Sequence, residues 1–113
     1  SPFADSRLIL EAQYKIGRCL QKQGDIDGAV EQYYQKVIVA FLDPATTENR
    51  MNEPSRMWFW RAAREAAAIL EQQGEWRKAV GIMERVLDVG VPADAVMRTR
   101  IRDIKAARWW EFY

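Results

Sequence analysis

Arg98, Arg102 and Lys105 are four and three residues apart, a spacing that sets three cations in one row along a helix face. Guanidinium groups bind carboxylates through paired N–H donors and stack on aromatic rings, so the row suits an acidic peptide or a free C-terminal carboxylate. Carboxylates also occur close together, Asp25 with Asp27 and Glu71 with Glu75, but each sits where a helix start or a solvated face accounts for it. Acid–base catalysis would in addition require a shaped cleft around such a pair. The chain has no histidine and one cysteine, which removes imidazole metal ligands, Ser-His and Cys-His nucleophile pairs, zinc ribbons and intrachain disulfides together. That cysteine, Cys19, lies on the apolar side of its helix pattern and is expected in the core as a small hydrophobe. Gly24 and Gly74 stand fifty residues apart without a following Gly-Lys-Ser/Thr, so they are turn residues and not a phosphate loop. No enzymatic activity, metal or cofactor is expected.

The remaining composition is that of an ordinary globular chain. A length of 113 residues fits one domain with its own core, and 49% hydrophobic against 29% charged residues excludes disordered and fibrous classes. Seventeen basic against sixteen acidic residues leave a net charge of +1, so no global field recruits nucleic acid or an anionic membrane, and nucleic-acid binding is not expected. No signal peptide or membrane-inserting run is visible. The chain opens on Ser1-Pro2 without a methionine, as expected of a fragment cut from a longer protein.

The elements that position the cations come from an internal repeat. Leu20-Gln21-Lys22-Gln23-Gly24-Asp25-Ile26-Asp27-Gly28-Ala29-Val30 returns fifty residues later as Leu70-Glu71-Gln72-Gln73-Gly74-Glu75-Trp76-Arg77-Lys78-Ala79-Val80. Each copy reads as two helices around a glycine turn, with Gly24 and Gly74 supplying positive φ and Asp25 capping the next helix. In the first copy, Leu8, Ala12, Ile16, Cys19 and Leu20 predict one buried stripe, with Asp5 or Ser6 as its cap. Ile26, Ala29, Val30, Tyr33, Val37 and Phe41 predict the stripe of its partner helix, ended by Asp43-Pro44. In the second copy, Met57, Trp60, Ala63, Ala67 and Leu70 precede Gly74, and Trp76, Ala79, Val80, Met83 and Leu87 run to a stop at Gly90 and Pro92. Residues 6–42 thus form repeat 1, 43–54 an inserted loop containing Arg50 and Met51, and 55–89 repeat 2. A fifth helix over 93–111 has a narrow seam of Met97, Ile101 and Ile104. Trp58, Phe59 and Trp60 in succession must point in three directions around their helix, so one is expected near the surface.

The series Ile16-Gly17, Leu20, Gly24, Ala29 and Tyr33 resembles the tetratricopeptide repeat, and Ala66-Ala67, Leu70, Gly74, Ala79 and Met83 is a degenerate copy of it. The resemblance implies an all-α, tetratricopeptide-like superhelix with two helix-turn-helix hairpins and a capping helix. It implies a noncatalytic scaffold that binds a peptide or protein partner in a concave groove lined by the first helix of each pair. Mapped onto this sequence, that side takes Tyr14 and Arg18, Arg61 and Arg64, and Arg98, Arg102 and Lys105, a basic groove fit for an acidic partner. The carboxylate-clamp subclass places lysine and asparagine where this chain has Tyr14 and Arg18, so a chaperone-tail ligand is not implied. The chain looks most similar to repeat proteins of the bacterial cell envelope, which implies a periplasmic or envelope-associated location. Trp109-Trp110-Glu111-Phe112-Tyr113 is expected to pack onto the fourth helix. The alternative is that these aromatics drive self-association or cap a longer repeat array.

Overall fold

A computed structural model describes residues 6–46, 53–90 and 94–113 of the chain. Every element among the described residues is helical, and none is a strand. α1 spans Ser6–Lys22. α2, Ile26–Gln32, runs on through a π-helical stretch, Tyr33–Ile38, into α3, Val39–Leu42, as one continuous rod. A 3₁₀ turn at Pro44–Thr46 follows. α4 spans Glu53–Gln72, α5 Trp76–Val89 and α6 Asp94–Ala107, with a last 3₁₀ turn at Trp109–Glu111. The expected cap at Asp5, the loop residues Arg50 and Met51, and the stop at Pro92 lie outside the described residues.

The two glycine turns are built alike. Gly24 has φ 87° and donates its N–H to the Gln21 carbonyl at 3.1 Å, while Asp25 donates to Leu20 at 2.9 Å. Gly74 has φ 75°, with the same pair of bonds to Glu71 and Leu70 at 3.0 and 2.8 Å. These paired closures satisfy carbonyls that a helix end leaves open, and the left-handed residue they need is glycine. Asp25 then caps α2, its Oδ1 accepting from the Gly28 N–H at 3.0 Å. Glu75, at the matching place, makes no side-chain cap bond.

Contacts divide the chain into two compact units, residues 1–66 and 67–113, with the boundary inside α4. In the first unit the core is Leu10 and Tyr14 from α1, Ala29, Tyr33, Val37, Ile38 and Phe41 from the α2–α3 rod, and Phe59, Ala62 and Ala66 from α4. The predicted stripe of α2–α3 is largely the observed one. The π-helical stretch, closed by the Val39 N–H bonding five residues back to Tyr34, places both Val37 and Ile38 inside.

α1 corrects the sequence reading. Its buried side is Leu10, Tyr14 and Gly17, whereas Leu8, Ala12, Ile16 and Cys19 are exposed and Leu20 is half-buried. Both sides of this helix are apolar at helical spacing, so periodicity alone does not say which one meets the core. The deciding contact is Gly17, where a Cβ would lie 2.4 Å from the Tyr33 ring. Without a side chain at 17, α1 comes close against that ring, and Cys19, two residues further round, faces outward.

In the second unit Ala67, Ile69 and Leu70 from α4, Ala79, Val80, Ile82, Met83 and Val86 from α5, and Ile101 and Ile104 from α6 are buried. Of the aromatic run in α4, Trp58 and Phe59 are buried, and Trp60 is the one near the surface. Met57 is exposed, contrary to its place in the predicted stripe. The terminal aromatics, expected to pack onto α5, are not buried. Trp109, Trp110 and Tyr113 are exposed and Phe112 is half-buried. The contact to α5 is made by Arg108, whose guanidinium lies 3.6 Å from the centre of the Trp76 ring, and by Arg77, which donates to the Glu111 carbonyl.

Candidate functional site

The seven predicted groove residues fall in both units, and each unit arranges its own set. In the first, Tyr14 is 6% exposed, with its ring centroid 5.6 Å from that of Tyr33 and 5.3 Å from that of Trp58. Its ring is a core residue rather than a groove wall, because α1 turns Leu10, Tyr14 and Gly17 inward. Its hydroxyl accepts from Arg18 Nη1 at 3.3 Å, and this bond holds the exposed guanidinium above its ordinary pKa. Arg61 lies over the other aromatic of the cluster, 5.1 Å from the Trp58 centroid. Tyr14 and Arg61 therefore meet at Trp58, with Arg18 bonded to the Tyr14 hydroxyl. Arg64 stands on a different ring, 4.8 Å from the centroid of Trp60.

Below this cluster Tyr33 is fully buried, and its hydroxyl donates to Gln21 Oε1 at 2.8 Å. Burial pushes its phenol well above the usual range, and the charge of Glu65 acts in the same direction. The ring is thus kept neutral, as a packing residue.

In the second unit Arg98, Arg102 and Lys105 come together. They line one side of an open cleft of about 620 Å³, with Leu87 and Ile101 at its apolar floor and Trp109 and Tyr113 along its outer edge. Each cation has an acidic neighbour. Arg98 Nε is 2.7 Å from Asp94 Oδ1, Lys105 Nζ is 3.2 Å from Glu84 Oε1, and Arg102 Nε is 3.7 Å from Asp103 Oδ1. The Arg102 side chain is 76% exposed and its pairing is the longest, which makes it the cation freest to engage another carboxylate. Lys105 also lies 5.8 Å from the centre of the Phe112 ring.

The aromatic edge of this cleft is the part that reading the cations alone passes over. Its signal is in the sequence, since Arg98, Arg102, Lys105, Trp109 and Tyr113 continue a single three-and-four spacing. The 3₁₀ turn after α6 keeps that row roughly in line. Among the described residues no group of three or more acidic or thiol side chains is placed to hold a metal ion, and no helix is long and apolar enough to cross a membrane.

The tetratricopeptide repeat family profile matches residues 11–41, covering most of α1 and nearly all of the α2–α3 rod. No curated protein and no solved structure matches the chain. Repeats of this family are generally noncatalytic protein-interaction elements. Residues 11–41 therefore carry one tetratricopeptide-type repeat, and the Gly17 to Tyr33 contact, the glycine turn and the all-helical architecture of the described residues agree with it.

Proposed function

We propose that this chain is a noncatalytic protein-binding module that takes an acidic segment of a partner protein in the cleft of its second unit. The observation that carries the reading is the convergence of Arg98 and Arg102 with an apolar floor and the exposed rings of Trp109 and Tyr113. Carboxylates of the partner engage the two guanidinium groups, and an apolar or aromatic side chain beside them reaches Leu87 and Ile101. Arginine and tryptophan are the residue types that carry most of the energy at protein interfaces. On the first unit, Arg61 on Trp58, Arg18 on the Tyr14 hydroxyl and Arg64 on Trp60 offer the same recognition chemistry for a longer partner.

The test is affinity capture from an extract of the source organism, with the wild-type chain beside a variant carrying Arg98→Glu and Arg102→Glu. A partner held by wild type alone, at unchanged circular dichroism and melting temperature, supports the cleft. Equal capture by both baits moves binding elsewhere. The exposed Arg98 to Asp94 pair contributes at most about 1 kcal/mol to stability, so the variant should fold.

A second reading is favoured by the same exposed rings. Trp109 and Trp110 meet edge to face, 6.3 Å between centroids, and both are exposed. Self-association through them predicts a mass that rises with concentration and falls back to monomer in a variant with both changed to Ala. Light scattering separates the two readings.

A further inference from the structure

The charges of the second-unit cleft are held unequally, and the difference falls on one carboxylate. Arg98 and Arg102 pair with Asp94 and Asp103 of their own helix, and neither of those acids lines the cleft. Glu84 does line it. It stands on α5, three residues before Leu87 of the apolar floor, and it reaches across to Lys105 on α6, with 3.2 Å between Oε1 and Nζ. Lys105 is the least exposed of the three cations, its side chain at 33% against 65% for Arg98 and 76% for Arg102, and it also lies near the Phe112 ring. The arginine pairs are contacts within one helix that solvent screens, whereas the lysine is engaged from two other elements. Among the described residues the lining therefore carries three cations and one carboxylate, and that carboxylate engages the cation next in line to the aromatic edge.

From this we infer that Glu84 is a specificity-determining residue of the cleft: it holds Lys105 neutralised, so that the site accepts two carboxylates of an acidic segment, at Arg98 and Arg102, and turns away a third beside them in favour of an uncharged side chain. The inference rests on the acidic-segment reading above and adds the number of charges that are read and the residue that limits them. α6 rises about 1.5 Å per residue, which sets Arg98 and Arg102 about 6 Å apart along its axis and Lys105 about 4.5 Å further on. An extended chain advances about 3.3 Å per residue and turns alternate side chains to one face, so acids two positions apart match the arginines, and the next side chain on that face meets Lys105 and Glu84. A carboxylate there approaches Glu84 and finds the ammonium group already engaged, a repulsive element of the kind that gives an interface its selectivity. Beyond it the Trp109 and Tyr113 rings take an apolar side chain.

The probes are two peptides, Asp-Ser-Asp-Ser-Gln-Ser-Phe and Asp-Ser-Asp-Ser-Glu-Ser-Phe, labelled with fluorescein at the N-terminus and amidated at the C-terminus, so that they differ by one charge. Fluorescence anisotropy at low ionic strength reads their affinities for the 113-residue chain. Wild type should bind the Gln peptide at least as tightly as the Glu peptide. Glu84→Gln, an exposed change that keeps the side-chain shape, should favour the Glu peptide about fivefold. Glu11→Gln, which removes the same charge from the ion pair with Lys15 on α1, should leave the wild-type ratio unchanged. An unaltered ratio in Glu84→Gln overturns the inference, and so does an equal change in Glu11→Gln, which would make the effect one of net charge. If both peptides are lost in the Arg98→Glu, Arg102→Glu variant while Glu84→Gln leaves the ratio unaltered, the acidic-segment reading stands and the role of Glu84 falls. If neither peptide binds wild type, or both still bind that double variant, the reading itself fails and the inference with it.

Discussion

Gly17 and Tyr33 set the orientation of the first helix between them. A methyl group at position 17 would meet the Tyr33 ring carbons at 2.4 and 2.6 Å, so the ring or the helix must move. Gly17→Ala should lower stability by about 1 to 3 kcal/mol, as overpacking does in a filled core, measured by urea unfolding. The repeat changes both positions together, to Ala67 and Met83, pairing a larger residue with a more adaptable one. Tyr33 also gives the fold a pH dependence. Its phenol titrates higher folded than unfolded, so above the ordinary tyrosine pKa of about 10 the unfolded chain binds fewer protons than the native one. This contribution is fully present below that pH and is lost as pH rises toward the folded value. Tyr33→Phe should flatten the alkaline fall in stability while losing the bond to Gln21, and unfolding free energies measured across the alkaline range check both effects.

At the scale of elements, the two glycine turns make the hairpins and the caps tune them. Gly24 and Gly74 stand at φ 87° and 75°, with open space around the Gly24 Cβ position, so the cost of alanine there is backbone strain and not a clash. Each Gly→Ala change should cost about 1 kcal/mol and shift thermal melting without changing helical content. Asp25→Ala should cost about as much again through the lost bond to the Gly28 N–H, whereas Glu75→Ala removes no cap bond and should cost less. The contrast between two sequence-equivalent positions is the measurement that isolates the cap. α6 is anchored by Ile101 and Ile104, and Arg100 bonds Glu71 at the end of α4 through Nε at 2.9 Å. The flank beside Ile101 carries Arg98, Arg102 and the cleft.

At the scale of the molecule, two exposed surfaces among the described residues differ in kind. The outward face of α1 is a row of aliphatic residues, Leu8, Ile9 and Ile16, and the second-unit cleft mixes guanidinium groups with aromatic rings. Partner binding at the cleft should weaken as ionic strength rises, because exposed charges are screened within about 8 to 10 Å at moderate salt. Ile16→Asp on the α1 face should leave that binding and its salt dependence unchanged. Capture experiments at low and high salt, with the Arg98→Glu, Arg102→Glu variant beside Ile16→Asp, check both expectations.

The sequence by itself determined the helical class, the two hairpins, their glycine turns and the apolar stripe of the α2–α3 rod. Those follow from local rules, in which a positive φ demands glycine and a 3.6-residue period needs only the residues of one helix. The row of Arg98, Arg102 and Lys105 was legible for the same reason. The tertiary structure decided which side of α1 is buried, and with it the places of Cys19 and Tyr14. Leu8, Ala12, Ile16 and Cys19 satisfy the helical period as well as Leu10, Tyr14 and Gly17 do, and the choice between them depends on a ring sixteen residues beyond Gly17. The exposed ring edge at Trp109 and Tyr113 was likewise decided by packing, because Arg108 and not an aromatic takes the place on Trp76. A periodic pattern records that a face can be buried, and only the neighbours available to cover it determine whether it is.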